Sequence, residues 1–448
     1  MSDVASAPTM TTPRRRIFGW ALWDWGTSGF SVIITTFVFP VFIVSSGFIN
    51  DSGYPASDAE LSSGFQWTFV VAGVIVAVLA PVLGRQADAS GHVRRWLMLN
   101  TIVVAVATAA MVFIQPSATF WMLGLALYVI ANVFYEFAFV NYNTVLVRIT
   151  TPKNMGRVSG FGWGMGYVGG IILLLIVLLG FIGLSDSLPN LLGLPTDDAF
   201  NVRLAFLFTG FWALIFAIPV FVIAPRKPIG STPERANIFA AYGKLFRDIG
   251  LLWREDRTTF AFLVASAIFR DGLAAVFTLG AVIAATVFEF SFTSIMYFGI
   301  LANLVAGIGV FLSGWIEDKI GPKKVILGSL LGLMIAGLYV FAMRDAGAIT
   351  FWIGGLLLSL FVGPTQSSSR TFLGRLTTPG REGELYGLYA TTGRGLSWLT
   401  GLLFALFVVW FGGDAYGILA IVLVLLVGFL LTLPLKPRFD REHSAIEG

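Results

Sequence analysis

The chain has 448 residues, 56% hydrophobic and 12% charged, against about 25% charged in a soluble domain, and its mean hydropathy is +0.83. That apolar excess is too large for one buried core, so most of the chain must face lipid. A net charge of +4 gives no ground for a nucleic-acid partner, and the absence of cysteine excludes disulfides, thiolate metal sites and cysteine nucleophiles.

Residues 1–16, MSDVASAPTMTTPRRR, read as a short disordered tail. The apolar run behind it is too long for a signal-peptide core and no cleavage site closes it, so an uncleaved first span is expected. Crossing about 30 Å of hydrocarbon takes about 20 apolar residues. Twelve runs qualify: 17–45, 62–86, 95–114, 119–147, 157–183, 202–224, 259–285, 291–315, 323–343, 347–370, 383–411 and 414–434. GGD at 412–414 is expected to form a tight hairpin. The expected domains are two six-helix bundles, 17–224 and 259–435, joined by a linker at 225–258 and followed by a tail at 436–448. In the linker, Ile238, Phe239, Tyr242, Leu245, Phe246, Ile249, Leu252 and Trp253 recur at helical spacing among Lys244, Arg247 and Arg254. This predicts an amphipathic helix on the cytoplasmic membrane surface, with a solvated helix packed on the bundle as the alternative.

Orientation follows from the basic residues. With the N-terminus inside, all but four of the 29 Lys and Arg fall in inside segments, among them Arg370, Arg375 and Arg381 after the tenth span. Arg203 and Arg344 fall outside, and Arg270 and Arg394 within spans. Both termini are expected in the cytoplasm, in a bacterial-type plasma membrane.

One loop occurs twice. GRQADASGHVRR at 84–95 and GWIEDKIGPKK at 314–324 each follow an even-numbered span. Each reads glycine, four on to aspartate, three on to glycine, then a basic pair. Gly84, Asp88, Gly91, Arg94 and Arg95 match Gly314, Asp318, Gly321, Lys323 and Lys324, with Lys319 beside them. The halves are therefore structural repeats. The glycine allows two helices to approach closely, and the aspartate and basic residues suit a charge latch at the cytoplasmic side.

This loop resembles the signature of the major facilitator superfamily, and the resemblance covers the whole chain. It implies an all-α polytopic fold of two pseudo-symmetric six-helix bundles around a central cavity, working by alternating access. WALWDWGTSGFSVIITTFVFP at 20–40, GRVSGFGWGMGYVGG at 156–170, TQSSSRTFLGRL at 365–376 and GRGLS at 393–397 resemble the vacuolar amino-acid effluxer-like branch. The Arg-Asp-Gly of span seven is similar to that branch's aspartate-glycine position. Where that branch ends span four in Leu-Pro-Asp-Ile, this chain has Val147, Arg148 and Ile149, so no role of that aspartate carries over. Fungal members of the branch are associated with release of amino acids from the vacuole.

Span five carries two glycine series at four-residue spacing, Gly156, Gly160, Gly164 and Gly162, Gly166, Gly170. Span eight shows Gly299, Asn303 and Gly307; span eleven shows Gly383, Gly387, Thr391 and Gly395. Bare backbone on helix faces permits close packing in lipid. By analogy with the superfamily, spans five and eight meet across the halves, as do two and eleven.

Charges at mid-membrane cost about 2.5 to 3.5 kcal/mol each on insertion scales, so they should face the bundle interior. Asp24, Glu136, Arg270, Asp271 and Arg394 are these residues, and spans one, four, seven and eleven are cavity-lining or cavity-adjacent in the superfamily. On span four, Tyr128, Asn132, Glu136 and Asn143 share one side. On span one, Asp24, Ser28 and Ser31 do the same between Trp23 and Trp25. Tyr135, Asn303 and Gln366 complete the candidate set. Asp24 and Asp271 are expected at similar places in their halves. Such a cavity suits a zwitterion, its carboxylate on Arg394 or Arg270 and its ammonium on a carboxylate. Asp24, Asp271 or Glu136 is the expected proton site, since a carboxylate in low dielectric can carry a proton. The plain alternative is a set of structural ion pairs between helices.

The expected function is secondary active transport of a small polar or zwitterionic, amino-acid-like solute, coupled to protons. A lipid flippase or scramblase on the same scaffold, or a multidrug-type exporter, is the alternative. An enzyme is not expected, because no intramembrane histidine, metal-ligand spacing or Ser/His pair is present. The expected partners are the solute, bilayer lipid and protons as coupling ion, with no nucleic acid, no cofactor, no metal and a monomeric state.

Overall fold

A computed structural model describes residues 14–50, 53–183, 188–224, 247, 249–250 and 252–436. The twelve membrane-length helices are α1 Arg14–Ile43, α2 Asp58–Ser90, α3 Val93–Phe113, α4 Ala118–Ile149, α5 Met155–Ile182, α6 Asp197–Ile223, α7 Arg257–Thr286, α8 Tyr297–Ile320, α9 Pro322–Ala342, α10 Ala348–Leu376, α11 Glu382–Phe411 and α12 Asp414–Thr432. The chain is thus the all-helical twelve-span protein that its hydropathy predicts.

Local chemistry sets the ends of these helices. Ser57 accepts the Glu60 N–H at 3.3 Å and Glu60 accepts the Ala56 N–H at 2.8 Å, a reciprocal cap before α2. Asp256 caps α7 by accepting the Thr259 N–H at 3.2 Å. The second glycine of each repeated loop, Gly91 (φ 67°) and Gly321 (φ 86°), follows α2 and α8 in a conformation that a side chain would strain.

Irregularities in α1 and α11 bear on the site. In α1 the turns widen over Phe30–Phe37, where Val38 N–H reaches back five residues to Ile33 O at 3.0 Å. α11 is two segments, Glu382–Leu396 and Leu399–Phe411, separated at Ser397 and Trp398. α10 runs to Leu376, six residues past the expected end at 370, so Arg370 lies about 9 Å inside the helix end.

The two sets of six pack alike. α1 lies on α5 and α6, α2 on α4, and α3 on α4 and α6; α7 lies on α11 and α12, α8 on α10, and α9 on α10 and α12. Between the halves, α2 packs on α11 and α5 on α8. The two glycine series of α5 serve different partners. A Cβ on Gly160 would come within 2.6 Å of Val310 O on α8, whereas one on Gly166 would meet Ser28 Oγ on α1 at 2.6 Å. Across the other contact, Gly84 and Gly383 touch backbone to backbone.

The ends of α2, α4, α8 and α10 lie on one face with the starts of α1, α5, α7 and α11; this is the basic face. Most of the linker helix expected within 225–258, and most of both tails, falls outside the described residues. Ile249 and Leu252, at the linker's end, pack against the C-terminal core. Arg14–Arg16, expected in the tail, already belong to α1.

Candidate functional site

Two acid–base groups lie inside the membrane-length helices, deeper than the repeated loops, and each joins one half to the other. In the first, the Arg394 guanidinium on α11 donates to Glu136 on α4 and to Asn132 Oδ1 at 3.2 Å. Asn132 and Glu136, four residues apart on one face of α4, are both within reach of Arg394 because the first segment of α11 packs on α4.

In the second group Asp24 was expected, but its partner Arg370 was not legible. Arg370 on α10, expected in an inside loop, is 1% exposed. Its Nε donates to Ser159 Oγ at 3.0 Å, Nη2 to Ser159 O at 2.8 Å and Nη1 to Asn143 Oδ1 at 3.4 Å. Asp24 Oδ2 lies 3.8 Å from Nη1 and accepts the Tyr142 hydroxyl at 2.8 Å. Trp20, Tyr142 and Trp163 surround the guanidinium with ring centroids at 5.2, 5.8 and 5.5 Å. The only sequence signal was the continuation of TQSSSRTFLGRL, whose small polar residues can remain helical beyond an apolar window.

Arg270 and Asp271 serve different places. Arg270 stacks on the Tyr389 ring at 3.7 Å and donates to Tyr389 O at 2.8 Å, and among the described residues no carboxylate pairs with it. Asp271 accepts the Thr400 N–H and hydroxyl, both at 2.6 Å. It therefore caps the second segment of α11 from within its own half. The expected equivalence of Asp24 and Asp271 is corrected: one faces the other half, the other ties two helices of one bundle.

The remaining candidates scatter. Trp23 donates to Thr101 Oγ1 at 3.0 Å and stacks on Tyr142 at 4.3 Å, and Tyr135 accepts from Ser31 at 3.5 Å. Both flank the Asp24 group. Trp25 turns between α5 and α6, against Gly169 and Phe216, so it is no part of this set. Asn303 spends its amide on Gly299 O of its own helix at 2.8 Å, and it lines a separate cavity. Gln366 makes no hydrogen bond among the described residues.

The repeated loops hold two matching latches. Asp88 accepts the Glu384 N–H at the start of α11 at 3.0 Å, while Arg148 bridges Asp88 and Glu382 at 3.1 Å each. Asp318 accepts the Gly156 and Arg157 N–H groups at the start of α5, at 2.9 and 3.3 Å, and pairs with Arg157 Nε at 3.0 Å. A carboxylate at a helix N-terminus satisfies orphan N–H groups and the helix dipole. The basic partners differ from expectation. Arg94, Arg95, Lys319, Lys323 and Lys324 form no ion pair among the described residues, because both aspartates turn inward to the opposite half. Arg148, Arg157 and Arg375 stand in their place, and Arg375 is also held by buried Glu317 at 2.9 Å. Across the boundary the N-terminal half supplies the cations at the basic face (Arg148, Arg157), and the C-terminal half supplies those deeper in the helices (Arg370, Arg394).

Away from the basic face, an apolar cavity of about 350 Å³ lies between α1, α5 and the C-terminal bundle, lined by Val276, Phe277, Phe298, Leu333, Phe351 and Ile421 among others.

Two related six-helix halves, latched at one face and carrying ion pairs along their shared boundary, are the architecture of a transporter of the major facilitator type. The match is to the vacuole effluxer Atg22-like family over residues 12–443, and the chain belongs to that family. It is 26% identical over 414 residues to the uncharacterized MFS-type transporter YxiO of Bacillus subtilis, covering 92% of each chain. It is also 26% identical over 312 residues to autophagy-related protein 22-1 of Neosartorya fischeri, spanning 64% of this chain but only 48% of that longer one. Among solved structures, the human organic anion transporter MFSD10 superposes with a TM-score of 0.70 at 17% identity, covering 94% of this chain and 99% of that one. The proton:xylose symporter XylE gives 0.68 at 12%, covering 94% and 93%. At these identities the likeness shows the fold.

Proposed function

We propose that the protein is a secondary active transporter that moves a small zwitterionic, amino-acid-like solute by alternating access, coupled to protons, with the basic face cytoplasmic. The observation that carries this reading is that both ion pairs within the spans, Glu136–Arg394 and Asp24–Arg370, cross from one half to the other. A pair that only glued one bundle would have both members inside it. Here any rocking of the halves must exchange Glu136–Arg394 and Asp24–Arg370 for other partners. A solute carboxylate and a proton are suitable replacements. Arg270, a cation within the span whose partners among the described residues are a carbonyl and a ring, would hold the solute's carboxylate. Asp24 or Glu136 takes the proton; Asp271, engaged with Thr400, has no such role in this reading.

The test is uptake into proteoliposomes of radiolabelled amino acids and dipeptides, with and without an imposed pH gradient. Flux driven by the gradient, and made independent of it by Asp24→Asn or Glu136→Gln, is the expected result. Movement of labelled lipid without any solute flux would overturn the reading in favour of a flippase.

A further inference from the structure

Arg370 belongs to the C-terminal half, yet among the described residues every hydrogen-bond, ion-pair and ring partner of its guanidinium is in the N-terminal half. Asp24 on α1, Asn143 on α4 and the hydroxyl and carbonyl of Ser159 on α5 take its N–H groups or its charge, and the rings of Trp20, Tyr142 and Trp163 stand around it. These six residues form a built cation receptor: one carboxylate, three neutral acceptors and an aromatic wall, each suited to a planar N–H-bearing cation. The Trp20 and Tyr142 rings stack at 4.3 Å, and the Tyr142 hydroxyl fixes the Asp24 carboxylate, so the aromatic wall and the carboxylate are braced within the N-terminal half, while Ser159 Oγ also meets Ser367 Oγ of α10 at 2.8 Å.

We propose that this pocket is a binding subsite for a guanidinium- or primary-ammonium-bearing solute, reached from the basic face, and that Arg370 is its tethered internal occupant. The inference rests on the alternating-access reading in one respect: separation of the halves at the basic face withdraws α10, and with it Arg370, from the pocket. A cation from solution then takes the place that the side chain leaves. Arg370 acts as a built-in competitor, so the subsite is filled by the protein when the basic face is shut and by solute when it is open. Other charged and titratable groups around Asp24 are Tyr142 and Tyr135 on α4 and Arg370 on α10. α5 presents Gly162 and Gly166 to Asp24, so among the described residues no second base contests the site.

Thermal unfolding of the full-length chain in detergent, with methylguanidinium chloride as probe, tests this without any transport. In Arg370→Ala the vacated pocket should bind the probe and raise Tm by roughly 2 °C or more at ligand well above Kd. The wild type should show at least about a tenfold weaker response, and adding Asp24→Asn should abolish the gain. Tetramethylammonium, a cation without N–H donors, should not replace the probe; equal stabilisation by it would overturn the hydrogen-bonded receptor. A folded Arg370→Ala with no probe response overturns the proposal outright. If that variant does not fold, Asp88→Asn combined with Asp318→Asn releases both latches while leaving Arg370 intact. It should bind the probe more tightly than wild type, and an unchanged affinity overturns the proposal. Absence of solute flux in proteoliposomes together with this binding would remove the transport reading and leave the receptor standing.

Discussion

Arg270 and Asp271 are neighbours in sequence that face about 100° apart on α7, and the difference separates ligand chemistry from structure. Asp271 closes the N-terminus of the second α11 segment through two hydrogen bonds to Thr400. Asp271→Ala should therefore cost about 1–2 kcal/mol of stability, the usual value of a lost cap, seen as a lower Tm with ligand affinity unchanged. Arg270→Ala should do the reverse: little change in Tm, and a roughly 10- to 100-fold loss of affinity for a carboxylate ligand by isothermal titration. An equal loss in Arg394→Ala but none in Arg270→Ala would move the carboxylate to Arg394. The expense of a charge in an apolar run made Asp24, Glu136, Arg270 and Arg394 visible in the sequence. Arg370 escaped because an arginine at the edge of an apolar window looks like a loop residue. Only the folded N-terminal half, with Ser159 and Asn143 in reach, makes it a buried one. Glu317 and Arg375 were hidden for the same reason, inside what reads as a basic turn.

At the scale of elements, contact between the halves depends on bare backbone. Gly387 on α11 lies so close to α2 that a Cβ would sit 2.5 Å from Ala80 O. Gly387→Ala should push the two helices apart at the basic face. The chain has no cysteine, so a single Ser367→Cys, placed at the α5–α10 contact with Ser159, reports on this directly. Its maleimide labelling rate in membranes should rise several-fold in the glycine variant. An unchanged rate would show that the α2–α11 contact does not hold the basic face shut. The glycine spacing was plain in the sequence, because bare faces repeat every four residues. The break in α11 was not. GRGLSWLT carries no proline, and the segments separate where Asp271, more than a hundred positions away, supplies the second cap.

For the whole molecule, the 230-residue repeat of one loop foretold the twofold plan, and its two aspartates, Asp88 and Asp318, make matching contacts with the opposite half, since duplicated halves must turn equivalent corners the same way. The basic partners of those latches were misread: a charge beside an aspartate in sequence pointed to water, and the real partners came from α4, α5 and α10. Asp88→Asn with Asp318→Asn should move the population toward an open basic face. The readout is a lengthened distance between spin labels on the loops after α2 and α10; an unchanged distribution would show the latches to be dispensable.

The crossed polarity of the boundary has a mechanical consequence. If the C-terminal bundle glided along the membrane normal toward the basic face, Arg370 and Arg394 would be carried toward Arg148 and Arg157, cation against cation; a glide the other way would break both of their ion pairs at once. A tilt about a transverse axis separates each pair without ever aligning like charges. The charge pattern therefore works as a keyway: it forbids the piston stroke and leaves the seesaw.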